Sequence, residues 1–260
     1  MPVIGYLSSS SSAGAFDELA SFRGVLGGAG LVDGQNVAIE YRWAEDRYDR
    51  LPALAAELVG RKVDLIYTYA TPAALAAKAA TSTIPIVFNI GVDPVVLGLV
   101  ESFNRPAGNL TGVTATLGPL HAKRLQLLHE LVPDTVSIGF LSNPKNRDAK
   151  SQQEQVEAGA QILGLKVSVL AVSDADEMER AFAAGREKGI GALLIDADPQ
   201  FTSHGNELVE LAARYALPVI YDRRDYCLSR GFDELRPGTG RDAASSRQLC
   251  RPHPQGREAC

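Results

Sequence analysis

Short apolar runs alternate along the chain with longer segments whose apolar residues recur at helical spacing. The runs at 3–7, 37–42, 65–69, 86–89, 136–141, 167–172, 192–196 and 219–221 read as strands. The segments near 14–29, 48–60, 72–81, 119–132, 148–163, 175–188 and 203–215 read as helices. Strands interleaved with helices of this length predict βαβ units and parallel sheets. Several ends are legible. "AGLVDGQNV" supplies a glycine stop and a turn, and "SDADEMERAFAAGREKGI" supplies a Ser173 cap, early acids, late bases and Gly189. Leu125, Leu128 and Val132 make an apolar stripe that reads as packing.

The elements fall into two blocks of about four strands each, residues 1–115 and 116–222, which meet at "ATLGP" (115–119). Residues 223–260 form a tail of different character. The expected fold class is α/β: two doubly wound parallel-sheet lobes with a ligand cleft between them. In such sheets ligands meet the loops at the carboxyl ends of the strands. Those loops are "SSSSS" (8–12), "NIGVDP" (89–94), "SNPKN" (142–146), "DADPQ" (196–200) and "YDRRD" (221–225), rich in hydroxyls, amides and acids. "YTYATPAALAAK" (67–78) adds another, where a strand runs through Thr71 and Pro72 into an alanine-rich helix. Thr71 is expected to cap that helix, and Pro72 to take its first position, where a missing N–H costs nothing. The first N–H groups of a helix lack intrahelical partners and carry the positive end of its dipole, so this junction suits an anion.

Composition removes several function classes. The net charge is −5 and no Lys/Arg stripe appears, which argues against a nucleic-acid face. No apolar run approaches the ~20 residues needed to span a bilayer. "MPVIGYLS" reads as a first strand and not as a signal peptide, so no export signal is expected in this chain. Cys227, Cys250 and Cys260 fit no metal or redox spacing. "GVLGGAG" (24–30) lies inside the first helix and is a poor dinucleotide fingerprint. No Gly-x-Ser-x-Gly elbow is present. His121 and His129 are expected on the surface or rim of a helix, and His204 beside a cap. Asp196 and Asp198 in "DADP" alone approach a cation- or amine-binding pair, and neither a metal nor a cofactor is expected. Polar loop ends without a catalytic set favour binding over turnover.

The stretches "MPVIGYLSSSS", "GLVDGQNVAIEYRWAEDRYDRLPALAAELV", "TPAALAAKAATSTIPIVFNIGVDPVVLGLVESFNRPAGNLTGV", "AKRLQLLHELVP" and "ELAARYALPVIYDRRDY" carry a resemblance over nearly all of residues 1–226. Together the chain resembles the substrate-binding proteins of bacterial ABC transporters, in the family that includes tryptophan- and phenylalanine-binding members. The resemblance implies a type I periplasmic-binding-protein fold, no catalysis, and a small amino-acid-like ligand enclosed between two lobes. It also implies a monomer that delivers to an ABC permease and its ATPase, either periplasmic or lipid-anchored at the outer face of the inner membrane.

Under this reading the N–H groups after Ala70 suit a carboxylate, and Thr71 with Ser8, Ser9 and Ser10 of the serine loop are further ligand-binding candidates. Asp93, Asp196 or Asp222 would meet an ammonium through a charge-assisted bond. Tyr69, Phe88 and Tyr221 are candidates for an apolar slot, and Asn89 and Asn143 follow strands in different lobes. Two other readings compete. A ligand-sensing regulator of the same fold wants an attached DNA-binding helix pair or a membrane span. A small-molecule hydrolase wants a Ser-His-acid or metal set.

The tail departs from the family pattern after Tyr226. Residues 227–260 hold every cysteine and six arginines but no lysine, valine or isoleucine, which offers little for a strand. The family's continuation resembles "IASAGGLMSYG" and later "GRILKGEKPA". Codons for "CRPHPQGREAC" can be chosen that, read one base later, give Gly-Arg-Ile-Leu-Lys-Gly-Glu-Lys-Pro. Codons for "FDELRPG" likewise give Leu-Met-Ser-Tyr-Gly-Pro. The tail is therefore expected to be frameshifted and poorly ordered, with the C-terminal return to the first lobe lost.

Overall fold

Parallel pairing requires a crossover between strands, and the interleaved helices of this chain supply it. The computed structural model describes residues 1–13, 15–115, 120–222 and 249–250. The chain divides into two units, residues 1–118 with 145–148, and residues 119–144 with 149–260.

The first unit runs β1 (Val3–Ser8), α1 (Phe16–Gly28), β2 (Ala38–Trp43), a 3-10 turn at Tyr48–Arg50, α2 (Leu51–Gly60), β3 (Leu65–Tyr69), α3 (Thr71–Ala80), β4 (Ile86–Ile90) and β5 (Leu110–Thr114). Its strands are all parallel, in the order β2-β1-β3-β4-β5. The register sets Trp43, Ser8, Tyr69 and Asn89 side by side at the carboxyl ends of four neighbouring strands. Strand alternation sorts the two faces. Leu7, Ile66, Ile86 and Phe88 pack with Leu58, Ala73 and Ala77 of α2 and α3. On the other face Tyr6, Tyr41, Trp43 and Tyr67 gather with Phe22 of α1, and the Phe22 and Tyr67 rings lie 4.7 Å apart.

β5 is absent from the sequence-based strands because "LTGVT" is short and broken by glycine. The glycine is required: a Cβ on Gly112 would lie 2.2 Å from the Phe88 carbonyl oxygen.

The second unit runs α4 (Leu120–Leu131), β6 (Ser137–Ser142), α5 (Ala149–Leu163), β7 (Lys166–Ala171), α6 (Asp176–Glu187), β8 (Ala192–Ile195), α7 (Pro199–Ser203), α8 (Gly205–Arg214), β9 (Val219–Ile220) and β10 (Leu249–Cys250). The order is β10-β9-β8-β6-β7, antiparallel at β10 alone. One core sets Leu125, Leu128, Val156 and Ala160 of α4 and α5 against Ile138, Phe140 and Leu194, with Val132 at its margin, so that stripe is packing. A second core sets Phe182, Leu208 and Leu211 of α6 and α8 against Leu141, Leu193 and Ile195. The N-cap of α6 is Ala175 and not the expected Ser173, and its side chain makes no capping bond. Asp174 Oδ1 accepts the Glu177 N–H at 3.1 Å, and the Glu177 carboxylate reaches back to the Ser173 N–H at 2.6 Å.

The two parallel sheets are those of the expected α/β class. The readings made on residues 223–248 and 251–260, the reading-frame change and the lost return among them, lie outside the described residues. Leu249–Cys250 does pair with β9, against the expectation that this stretch gives no strand. The ladder uses backbone groups, which every residue but proline carries in full.

Candidate functional site

In the first sheet the chain order reverses between β1 and β3, with α1 on one face and α3 on the other. A crevice opens at such a switch point outside the carboxyl ends. The serine loop and the Thr71 junction flank it. Ser8, Ser9 and Ser10 are buried, and Ser9 Oγ accepts the Ala73 N–H at 3.2 Å. This corrects the expected cap. Ala70 is the N-cap residue, Thr71 is the first helical residue, and no side chain of the N-cap closes the helix. A strand that ends at Tyr69 leaves only Ala70 for the cap position.

Ala70 sits at φ 70° and ψ 158°, a region essentially reserved for glycine, so it is strained. Its N–H donates to the Asn89 carbonyl at 2.9 Å, and its carbonyl accepts the Ala74 N–H at 3.2 Å. Pro72 has no N–H, and those of Ala73 and Ala74 are taken. The Thr71 N–H finds no acceptor among the described residues. The Ser10 hydroxyl, 1% exposed, also lacks a hydrogen-bond partner there.

The serine loop is clamped from several sides. Ser8 Oγ donates to Glu18 Oε1 at 3.3 Å and accepts the Ser10 N–H at 3.2 Å. Tyr6 OH donates to the same Glu18 oxygen at 2.7 Å. The Ala44 and Asp46 N–H groups donate to the Ser8 and Ser9 carbonyls at 3.0 and 3.2 Å. Glu45 and Asp46, both at positive φ, shape that second loop. Burial, reinforced by the Glu18 charge, pushes the Tyr6 phenol far above its ordinary range, and burial raises that of Tyr67. Tyr69 and Asn89 are half-buried, and Asn89 Nδ2 donates to Tyr67 OH at 3.4 Å. Asp93 is turned to its own loop, where Oδ1 accepts the Val95 and Val96 N–H groups at 2.8 and 3.3 Å. Phe88 points into the α2–α3 core and not into a slot.

The second sheet reverses in the same way between β6 and β8. Ser142 Oγ donates to Asp196 Oδ2 at 3.1 Å, and Asp196 Oδ1 lies 3.6 Å from His121 Nε2 and accepts no hydrogen bond among the described residues. Asn143 Nδ2 donates to Asp198 Oδ1 at 3.2 Å and to Gln200 Oε1 at 3.0 Å. Asp198 caps α7 by accepting the Gln200 N–H at 2.9 Å. Arg124 Nη2 donates to the Ile195 and Ile220 carbonyls at 2.6 and 3.1 Å, fixing the ends of β8 and β9. Tyr221 belongs to the α6–α8 core, and half-buried Asp222 follows it.

His121 is buried, against the expected surface position, because its side of α4 faces the sheet. It brings a serine, an acid and a histidine together, which the sequence did not reveal. The serine hydroxyl bonds the carboxylate and not the imidazole, so the ring does not activate it as a nucleophile. Among the described residues no group of three or more His, Cys, Asp or Glu could hold a metal ion, and no helix is long and apolar enough to cross a membrane. Glu18, Tyr6, Trp43 and Arg124 escaped the sequence reading. The available signal was the in-register place of Trp43 beside Ser8.

The family model for ABC transporter substrate binding protein matches residues 14–231. A tyrosine-binding protein of Clostridioides difficile is 30% identical over 191 residues, 74% of this chain. The chain spans 54% of that relative's length. A conserved domain protein from Vibrio cholerae superposes with a TM-score of 0.79 at 26% identity, over 87% of this chain and 75% of its own. An ABC domain from Streptococcus pneumoniae, solved in complex with L-Trp, gives a TM-score of 0.74 at 26% identity, over 84% of this chain and 73% of its own. With the family model spanning most of its length, the chain belongs to the ABC transporter substrate-binding proteins, binders and not enzymes, built on the type I periplasmic-binding-protein fold.

Proposed function

We propose that the protein is the solute-binding component of an ABC importer and takes an amino acid, with aromatic side chains favoured. The observation that carries this reading is the opening of α3. Its Thr71 N–H and the buried Ser10 hydroxyl both lack partners among the described residues, beside a strained Ala70. A ligand carboxylate supplies the missing acceptor, and the helix dipole favours its charge. Asp196 Oδ1 in the second unit is the acceptor for the ligand ammonium, with Asn143 and Asp222 at neighbouring strand ends. Ser8, Ser9 and Asn89 hold the first loop set in place. The preference for an aromatic ligand rests on the tyrosine-binding relative and the L-Trp complex, with Tyr69 at the same strand end.

In this reading residues 1–115 and 116–222 act as two lobes that close on the ligand. The protein works as a monomer in the periplasm, or anchored by lipid at the outer face of the inner membrane, and hands its cargo to a permease and its ATPase. A thermal-shift and calorimetry panel of L-tyrosine, L-tryptophan, L-phenylalanine, L-leucine, sugars and nucleosides tests it. Aromatic amino acids are expected to stabilise the protein, by about 2.7 kcal/mol at 100 times the dissociation constant. A response confined to sugars or nucleosides contradicts the reading.

A further inference from the structure

We propose that His121 makes amine recognition in the second unit proton-linked: Asp196 takes a ligand ammonium when the imidazole is uncharged, and binding expels the proton of a charged ring to solvent. This deepens the ligand reading above and rests on it. Asp196 is fully buried, and its Oδ2 accepts from Ser142 Oγ at 3.1 Å. Its Oδ1 accepts no hydrogen bond among the described residues. Half of a buried carboxylate left unsatisfied is costly, so a cation is the natural complement of Oδ1.

Two cations can serve, and each works against the other. His121 Nε2, itself buried and without a hydrogen-bond partner among the described residues, lies 3.6 Å from Oδ1. The ring is held edge-on to Phe140, with 6.4 Å between centroids. A proton on Nε2 makes it a donor to Oδ1 after a small ring movement, and the imidazolium then neutralises Asp196. A ligand ammonium at Oδ1 would stand beside that second positive charge in a buried site, where like charges repel strongly. Losing the Nε2 proton leaves the Nδ1–H tautomer, whose Nε2 lone pair is a second acceptor for the ammonium. Charges on the elements around α4 are mixed. Asp148 before α5, Asp198 after β8 and Asp222 after β9 favour a charged ring, and Tyr221 adds a phenol. Arg124, one turn along α4, and the positive end of that helix oppose it. These charges are common to the free and bound protein, and the ammonium is the one that binding adds.

Calorimetry of the full chain with L-phenylalanine, in buffers that differ in ionisation enthalpy, counts the protons released and tests the proposal. Release is expected at about pH 6, within the range where histidines charge, and should nearly vanish at about pH 8. Affinity should fall about tenfold between those two values. 3-Phenylpropanoate, which differs only in lacking the ammonium, should release no proton. His121→Gln keeps a polar side chain that cannot take a charge, so it should bind L-phenylalanine without proton release and equally well at both pH values. If that variant does not fold, the wild-type comparison of the two compounds still decides. No release from the wild type with L-phenylalanine at the lower pH, equal release with both compounds, or persistent release in His121→Gln overturns the proposal while leaving the ligand reading intact. A wild type that binds neither compound overturns the ligand reading, and this proposal with it.

Discussion

The openings of α3 and α7 follow the same sequence punctuation, a proline in the first turn after a strand end, yet they differ in what they offer. At α7 the preceding residue is Asp198, whose carboxylate accepts the Gln200 N–H at 2.9 Å and the Asn143 amide at 3.2 Å. That turn is sealed from within. At α3 the preceding residue is Ala70, which has no polar side chain, and the acceptor comes from Ser9, far back in the chain. The Thr71 N–H stays open among the described residues. One side chain decides whether a strand–helix turn is closed or is a donor site. The first switch point accordingly presents donors, and the second presents an acceptor in Asp196 Oδ1.

The largest expected effect lies at Ala70. A β-branched side chain at φ 70° and ψ 158° has no relaxed conformation, so Ala70→Val should cost about 3 kcal/mol and abolish ligand binding. Ala70→Gly should instead raise stability by about 1 kcal/mol. Chemical denaturation reads both, and unshifted midpoints would show that the backbone is not strained there.

The next prediction separates the two openings. Asp198→Ala removes a cap and leaves buried Asn143 short of a partner, at a cost of about 2 kcal/mol. Ser9→Ala removes only the borrowed cap, at about 1 kcal/mol. Despite its smaller cost, Ser9→Ala is expected to lose about tenfold more affinity for an aromatic amino acid than Asp198→Ala does, because it misplaces the donors. Equal affinity losses in the two variants would erase the distinction.

The last effect, absent at neutral pH, is a pH dependence. The Tyr6 phenol is raised above its ordinary value of 10.0, first by burial and then by Glu18. The folded protein therefore keeps a proton that the unfolded chain releases once the pH passes 10. Stability should fall with rising pH in that range by about 1.4 kcal/mol per pH unit, and be unaffected below pH 9. Tyr6→Phe should make the decline shallower, and an identical slope in that variant would remove Tyr6 as its source.

The sequence exposed what depends on local pattern. The apolar runs marked the strands, and the serines, the Thr71 junction and the acids stood out because they interrupt apolar pattern at strand ends. What it hid depends on packing. Glu18, Arg124 and His121 are polar residues on helices, and a polar residue on a helix reads as solvated until the sheet beneath it is known. The α3 cap was displaced by one residue because strand and helix leave a single position between them. Asp93 looked like an ammonium acceptor but is occupied by its own turn. Trp43, the sole tryptophan, lay unnoticed in a strand until the register put it next to Ser8.

A crystal structure of the protein with L-tyrosine at saturating concentration is the direct test of the α3 opening as the ligand site. A ligand carboxylate oxygen is expected within hydrogen-bond distance of the Thr71 N–H and the Ser10 hydroxyl. An ordered ligand whose carboxylate lies elsewhere, with the Thr71 N–H still open, would contradict it.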